Sequence, residues 1–144
     1  MIELKKLANM VDHTLLKADA TKDGFKQLCK EADDYGFKMV AINSYPVAMC
    51  REFLKDSEVH VGAAIGFPLG QTTIETKVFE VQDAIKNGAD EIDYVINIGK
   101  LKDGDTEYIR EEMKAIVNAS REGEIISKVI LCLLYTSPSP RDCS

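Results

Sequence analysis

The chain has 144 residues, 45% of them hydrophobic and 29% charged, with a formal net charge of −6. That length and balance describe one soluble globular domain with a real core, not a disordered chain. The acidic balance argues against nucleic-acid binding by bulk attraction to phosphates, and the longest apolar run, Val129 to Leu134, is too short to cross a bilayer.

The start, MIELKKLANM, lacks the apolar stretch and cleavage site of a signal peptide, so a cytoplasmic protein with no membrane or nucleic-acid partner is expected. A short helix leads, followed by a strand over MVDHTLL. Phe25, Leu28, Cys29 and Ala32 fall at i, i+3, i+4 and i+7, which predicts an amphipathic helix over Thr21–Tyr35 ended by Gly36. KMVAIN reads as a short buried strand, broken by Tyr45-Pro46, and Val47–Leu54 as a short helix. HVGAAIGFPLG is a strand that opens into a Gly/Pro turn.

Thr72 and Glu75 fit a Thr-x-x-Glu capping box. Behind it Ile74, Val78, Val81 and Ile85 form one apolar stripe, closed by Asn87-Gly88. DEIDYVIN is a strand and KDGD a turn with Asp105 as N-cap. Ile109, Met113, Ile116 and Val117 mark another helix, and SKVIL begins a fifth strand. Cys29, Cys50, Cys132 and Cys143 form no CxxC or Cys/His cluster, so they read as reduced, small apolar residues rather than a metal or redox motif.

Strict β-α alternation implies parallel strands joined by helical crossovers. A doubly wound open sheet and the first part of a (β/α)8 barrel both satisfy it. In a barrel, alternate strand residues face the interior. Asp12 and Thr14 share one face of the first strand, and Met39, Ala41 and Asn43 one face of the second. On the fourth, Asp93, Val95 and Asn97 lie opposite Ile92, Tyr94 and Ile96; on the fifth, Lys128 lies between Ile126 and Ile130.

Four strands therefore carry polar residues amid apolar ones: Asp12 and Thr14, Asn43, Asp93, and Lys128. A buried charge without a partner is costly. Residues of this kind converging on one interior would satisfy one another and form a reaction site at the C-terminal ends of the strands. Each alone has a plainer reading. A strand-end Asp is a cap, Lys128 a snorkelling edge lysine, and His13 and His60, with no Glu or Cys at ligand spacing, are structural. The pattern by itself points to a small-molecule α/β enzyme and leaves its chemistry open.

MVDHTLLK, IGFPLGQTTIETK, GADEIDYVINIGKLKDGD and SKVIL, in this order and spacing, resemble deoxyribose-phosphate aldolase from about Ile2 to Leu131. The resemblance implies a (β/α)8 barrel and a class I aldolase that uses a lysine Schiff base, with no metal or other cofactor. It also implies reversible cleavage of a phosphorylated sugar, 2-deoxy-D-ribose 5-phosphate, to acetaldehyde and D-glyceraldehyde 3-phosphate. Asp93 matches the family's proton-relay acid. A carboxylate beside ammonium groups can move protons repeatedly while an imine forms and breaks. Lys128 matches an interior lysine near the reacting centre and is expected to line the substrate site, as are Asp12, Thr14 and Asn43. The family's Schiff-base lysine lies in an FVKTSTG-like segment, and neither that segment nor the later GGIR-like turn occurs here. The family is often dimeric or larger, so a homo-oligomer is a further implication for the intact protein.

The end of the chain departs from this pattern. CLLYTSPSPRD resembles a translated transposase-type sequencing adapter, and Ser-Pro-Ser-Pro extends neither a helix nor a strand ladder. The expectation is a partial aldolase domain over 1–131 and a non-native, disordered tail over 132–144, with the fragment inactive alone. Two other readings compete: another (β/α)8 lyase or isomerase sharing this first half, or a non-catalytic half-barrel or flavodoxin-like binding module.

Overall fold

The structure, a computed structural model, describes residues 3–131. The tail expected over 132–144 lies outside them. In chain order the elements are α1 (Leu4–Ala8), β1 (Asp12–Leu15), α2 (Lys22–Tyr35), β2 (Met39–Asn43), α3 (Val47–Phe53), β3 (His60–Ile65), α4 (Ile74–Lys86), β4 (Glu91–Val95), α5 (Ile98–Lys102), α6 (Thr106–Glu122) and β5 (Ile126–Ile130). No described helix is long and apolar enough to cross a membrane.

Local chemistry sets the boundaries. The Thr21 hydroxyl accepts from Gly24 N at the start of α2, and Gly36 ends that helix in the left-handed region, at φ 65°. Asp105 caps α6 as expected, accepting from Tyr108 N. The cap of α4 corrects the sequence reading by one residue. Thr73, not Thr72, accepts from Thr76 N, so Glu75 is too early to close a reciprocal box and serves as an acidic first-turn residue. The short α5 has no counterpart in the sequence pattern; Asn97 starts it by accepting from Lys100 N. On α6, Met113 is partly exposed and Glu112 takes the inward position beside Ile109 and Ile116.

All five strands pair in parallel, in the spatial order β1-β2-β3-β4-β5. This separates the two folds that alternation left open. A doubly wound sheet reverses direction at a switch point and carries helices on both faces. A sheet that grows one way by right-handed crossovers carries all its helices on one face. The core lies between those helices and one side of the strands: Val40, Ile42, Val61, Ala63, Ile65, Ile92 and Tyr94 pack against Phe25, Leu28, Val47, Val81 and Ile116. The strands are the first five of a (β/α)8 arrangement.

Curvature confirms that the other face is an interior. In a flat sheet β1 and β5 would stand four spacings apart, about 19 Å. Yet Lys128 of β5 brings its Nζ to 3.2 Å from Asp12 Oδ2 of β1. Two side chains span that gap only if the sheet is curled around them.

Candidate active site

The register sorts the inward residues into levels. Asn43, Ala64, Asp93 and Lys128 are successive partners across β2 to β5. One level towards the strand N-termini stand Thr14, Ala41, Gly62, Glu91 and Ile126, and below them Asp12, Met39 and His60. On β2 and β3 the upper two levels carry Asn43 and the small residues Ala41, Gly62 and Ala64, with the Met39 side chain lying over Gly62. On β4 and β5 they carry the charged Glu91, Asp93 and Lys128.

Lys128 is the hub of the charged side. Its Nζ lies 3.2 Å from Asp12 Oδ2, 3.1 Å from Glu91 Oε2 and 3.2 Å from Asp93 Oδ1. Burial works to lower the pKa of this ammonium, but Asp93 and Glu91 outweigh it and hold the group above the ordinary lysine range. It is therefore a protonated cation at neutral pH. Burial pushes the Asp93 carboxyl above the usual carboxylate range against the opposing pull of Lys128, with Asp12 and Glu91 adding repulsion. Asp93 Oδ1 is buried and, among the described residues, receives no well-directed hydrogen bond, so Lys128 touches it as an ion and not as a donor in line.

The remaining expected residues sit nearby without joining the hub. The Thr14 hydroxyl donates to the Asp12 carbonyl at 2.9 Å. The Asn43 amide reaches the Leu16 carbonyl at 3.5 Å, bridging the ends of β1 and β2. His13 faces the helices, where it bonds Glu31 at 2.8 Å and packs edge-on to Phe37, as a structural histidine should.

His60 is different, and Glu91 is a residue that the sequence pattern does not single out. Glu91 Oε1 lies 2.7 Å from His60 Nδ1, and His60 Nε2 lies 2.9 Å from Lys38 Nζ. Burial alone would raise the Glu91 carboxyl, but hydrogen bonds from His60 and Lys128 outweigh it and hold the group below its ordinary range. The available signal is parity: Glu91 stands two residues before Asp93 on one strand, and His60 supplies the polar residue that β3 otherwise lacks.

The C-terminal rim of the sheet is fastened from behind. Lys77 and Glu112 form a fully buried ion pair at 2.6 Å. Lys77 also donates to the Val95 carbonyl at 2.7 Å, and Glu112 Oε2 accepts from Asn97 N at 3.0 Å, so the pair holds the end of β4. Glu80 accepts from the Ser44 hydroxyl at 2.8 Å and from Gly66 N at 2.9 Å, which joins the loops after β2 and β3. Gly70 sits at φ 66°, where a Cβ would fall 2.2 Å from the Ile96 carbonyl oxygen; only glycine lets the β3 loop lie against the end of β4.

As chemistry, the interior offers a desolvated acid, a fixed ammonium and an uncharged wall. Such a set can pass a proton to and from a small polar molecule held against the wall.

Comparison with known proteins agrees with this geometry. The family model described as "DeoC/LacD family aldolase" matches residues 6–140. The deoxyribose-phosphate aldolase of Lactobacillus acidophilus is 56% identical over 127 residues, covering 88% of this chain and 54% of the relative. That of Clostridium perfringens is 47% identical over 144 residues, covering 99% of this chain and 64% of the relative. The tetrameric deoxyribose phosphate aldolase of Aeropyrum pernix superposes with a TM-score of 0.84 at 30% identity, over 94% of this chain and 56% of that one. The chain thus spans between about half and two thirds of the length of these relatives.

Proposed function

Because this chain belongs to the DeoC/LacD family of aldolases, we propose that the whole protein reversibly cleaves 2-deoxy-D-ribose 5-phosphate to acetaldehyde and D-glyceraldehyde 3-phosphate through a lysine Schiff base. The observation that carries the proposal is the pairing of Asp93, whose carboxyl burial pushes up, with an ammonium fixed 3.2 Å away. A carboxyl of raised pKa can hold and release a proton at the carbon and nitrogen centres of an imine cycle.

Lys128 does not suit the nucleophile's role. An attacking amine must be neutral, and three carboxylates keep this one charged. Its suited task is to hold Asp93 and to attract the hydroxyls of a sugar. Asp12, Thr14 and Asn43 lie on the same interior face, beside the small residues Ala41 and Ala64. The nucleophile belongs to a KTSTG-like segment that these 144 residues do not contain.

Trapping with borohydride and acetaldehyde in the full-length gene product tests this. The expected label falls on a lysine of a KTSTG-like segment, while the 144-residue chain alone gives no imine at family-like rates. A label on Lys128 would overturn the assignment, and a full-length sequence without such a segment would favour another (β/α)8 lyase or isomerase.

A further inference from the structure

We propose that His60 and Glu91 are positioning residues for the Asp93–Lys128 pair, acting through a chain of contacts that runs from Lys38 at the N-terminal end of the interior. The inference rests on the aldolase reading and extends it to residues outside the site proposed above.

The contacts assign each atom a duty. A lysine ammonium has only protons to give, so Lys38 Nζ donates to His60 Nε2, and the imidazole carries its proton on Nδ1. That proton points at Glu91 Oε1, 2.7 Å away. Glu91 therefore spends one oxygen on His60 and keeps the other, Oε2, for Lys128 at 3.1 Å. Glu91 is more than nine-tenths buried, with a side-chain exposure of 6%. Its carboxylate is held between a hydrogen bond to His60 and an ion pair with Lys128.

This arrangement has a directional consequence. Lys128 could swing towards either Asp12 or Asp93 across the interior. Glu91, two residues from Asp93 on the same strand, pins the ammonium over β4, within reach of both aspartates. The charged groups facing Glu91 are Lys128 from β5, Asp12 from β1, Asp93 on β4, and Lys38 behind His60. Of the pair under test, only Glu91 contributes charge; His60 acts by orientation.

Glutamine and asparagine separate the two ring nitrogens. H60Q keeps a polar atom near Nε2 but loses the donor to Glu91, whereas H60N places an amide nitrogen where Nδ1 stood. Carbon-13 NMR of the side-chain carboxyls in the full-length protein follows each titration directly, and thermal melting checks that each variant folds.

In H60Q the Glu91 midpoint is expected to rise by about half a pH unit to one pH unit, because a hydrogen bond to the charged form is lost; H60N restores it. In E91Q the Asp93 midpoint falls by a similar amount, because one neighbouring negative charge is gone and Lys128 is released to Asp93. The acid limb of kcat/KM moves with it. A midpoint displaced by one pH unit changes the population of the working protonation state by up to about tenfold, so kcat should change more than KM. Unchanged midpoints and an unchanged pH profile in H60Q and E91Q, in a wild type that traps acetaldehyde, overturn this inference alone. A wild type that traps none overturns the aldolase reading and, with it, the catalytic purpose of His60 and Glu91.

Discussion

Replacing Lys77 with methionine should destabilise the protein far more than any surface lysine would. Methionine keeps the volume of the stem, so the cavity contribution is small. What is lost is the ammonium that serves Glu112 at 2.6 Å and the Val95 carbonyl at 2.7 Å, both out of contact with water. Glu112 then keeps a buried charge with one remaining donor, Asn97 N at 3.0 Å. Breaking a buried pair from one side costs about 3–5 kcal/mol, mostly the penalty of the stranded charge. At roughly 2–4 °C per kcal/mol for a protein of 150–250 residues, Tm should fall by about 6–20 °C.

The double variant K77M/E112L removes both charges and should recover most of that loss, since a well-packed apolar pair is often as stable as a buried ionic one. Equilibrium urea unfolding of the full-length protein compares wild type, K77M and the double variant, and E112L closes the cycle. The reasoning fails if K77M lies within about 1 kcal/mol of wild type, or if the double variant is no more stable than K77M.

Two further outcomes follow from other observations. Gly70→Ala should cost about 2–4 kcal/mol, from left-handed strain plus the clash with Ile96, whereas Gly36→Ala, at a similar φ with nothing within 4 Å, should cost only about 1–2 kcal/mol; chemical denaturation distinguishes them. Asp93→Asn should abolish the proposed cleavage yet raise the melting temperature at pH 7. The folded pKa of Asp93 lies above its unfolded value, so its ionisation opposes folding above that window. The gain should fade as pH falls through the folded and then the unfolded pKa, and melts from pH 7 down to pH 3 check the sign.

Alternation of short apolar runs with amphipathic stretches made the parallel architecture legible, because strand and helix periods differ and the long helices α2, α4 and α6 each start on a side-chain cap. Parity along the strands also put Asp12, Asn43, Asp93 and Lys128 on one face. What parity lacks is distance. It could not say that Lys128 crosses the interior to Asp12 while Asn43, level with Asp93, turns instead to the Leu16 carbonyl. That follows from the curl of the sheet, which no single strand encodes.

Glu91 and His60 escape a sequence reading because they stand towards the strand N-termini, away from the end where a barrel's active site is expected. Lys77 and Glu112 escape it for another reason. Each is a charged residue on a helix rich in charged residues, and only the packing of α4 against α6 shows that these two point inward. The one-residue slip at the α4 cap arises from two adjacent threonines with equal cap propensity.

The fastenings behind the rim have a mechanical meaning. Glu80 links the loop after β2 to the loop after β3, Gly70 seats that second loop on the end of β4, and the Lys77–Glu112 pair secures the end of β4 to α4 and α6. Each loop is thus tied to its neighbour around the circumference, as staves are held by a hoop. The rim segments at Ser44, Gly66 and Asn97 are therefore held by Glu80 and Glu112, side chains carried on α4 and α6.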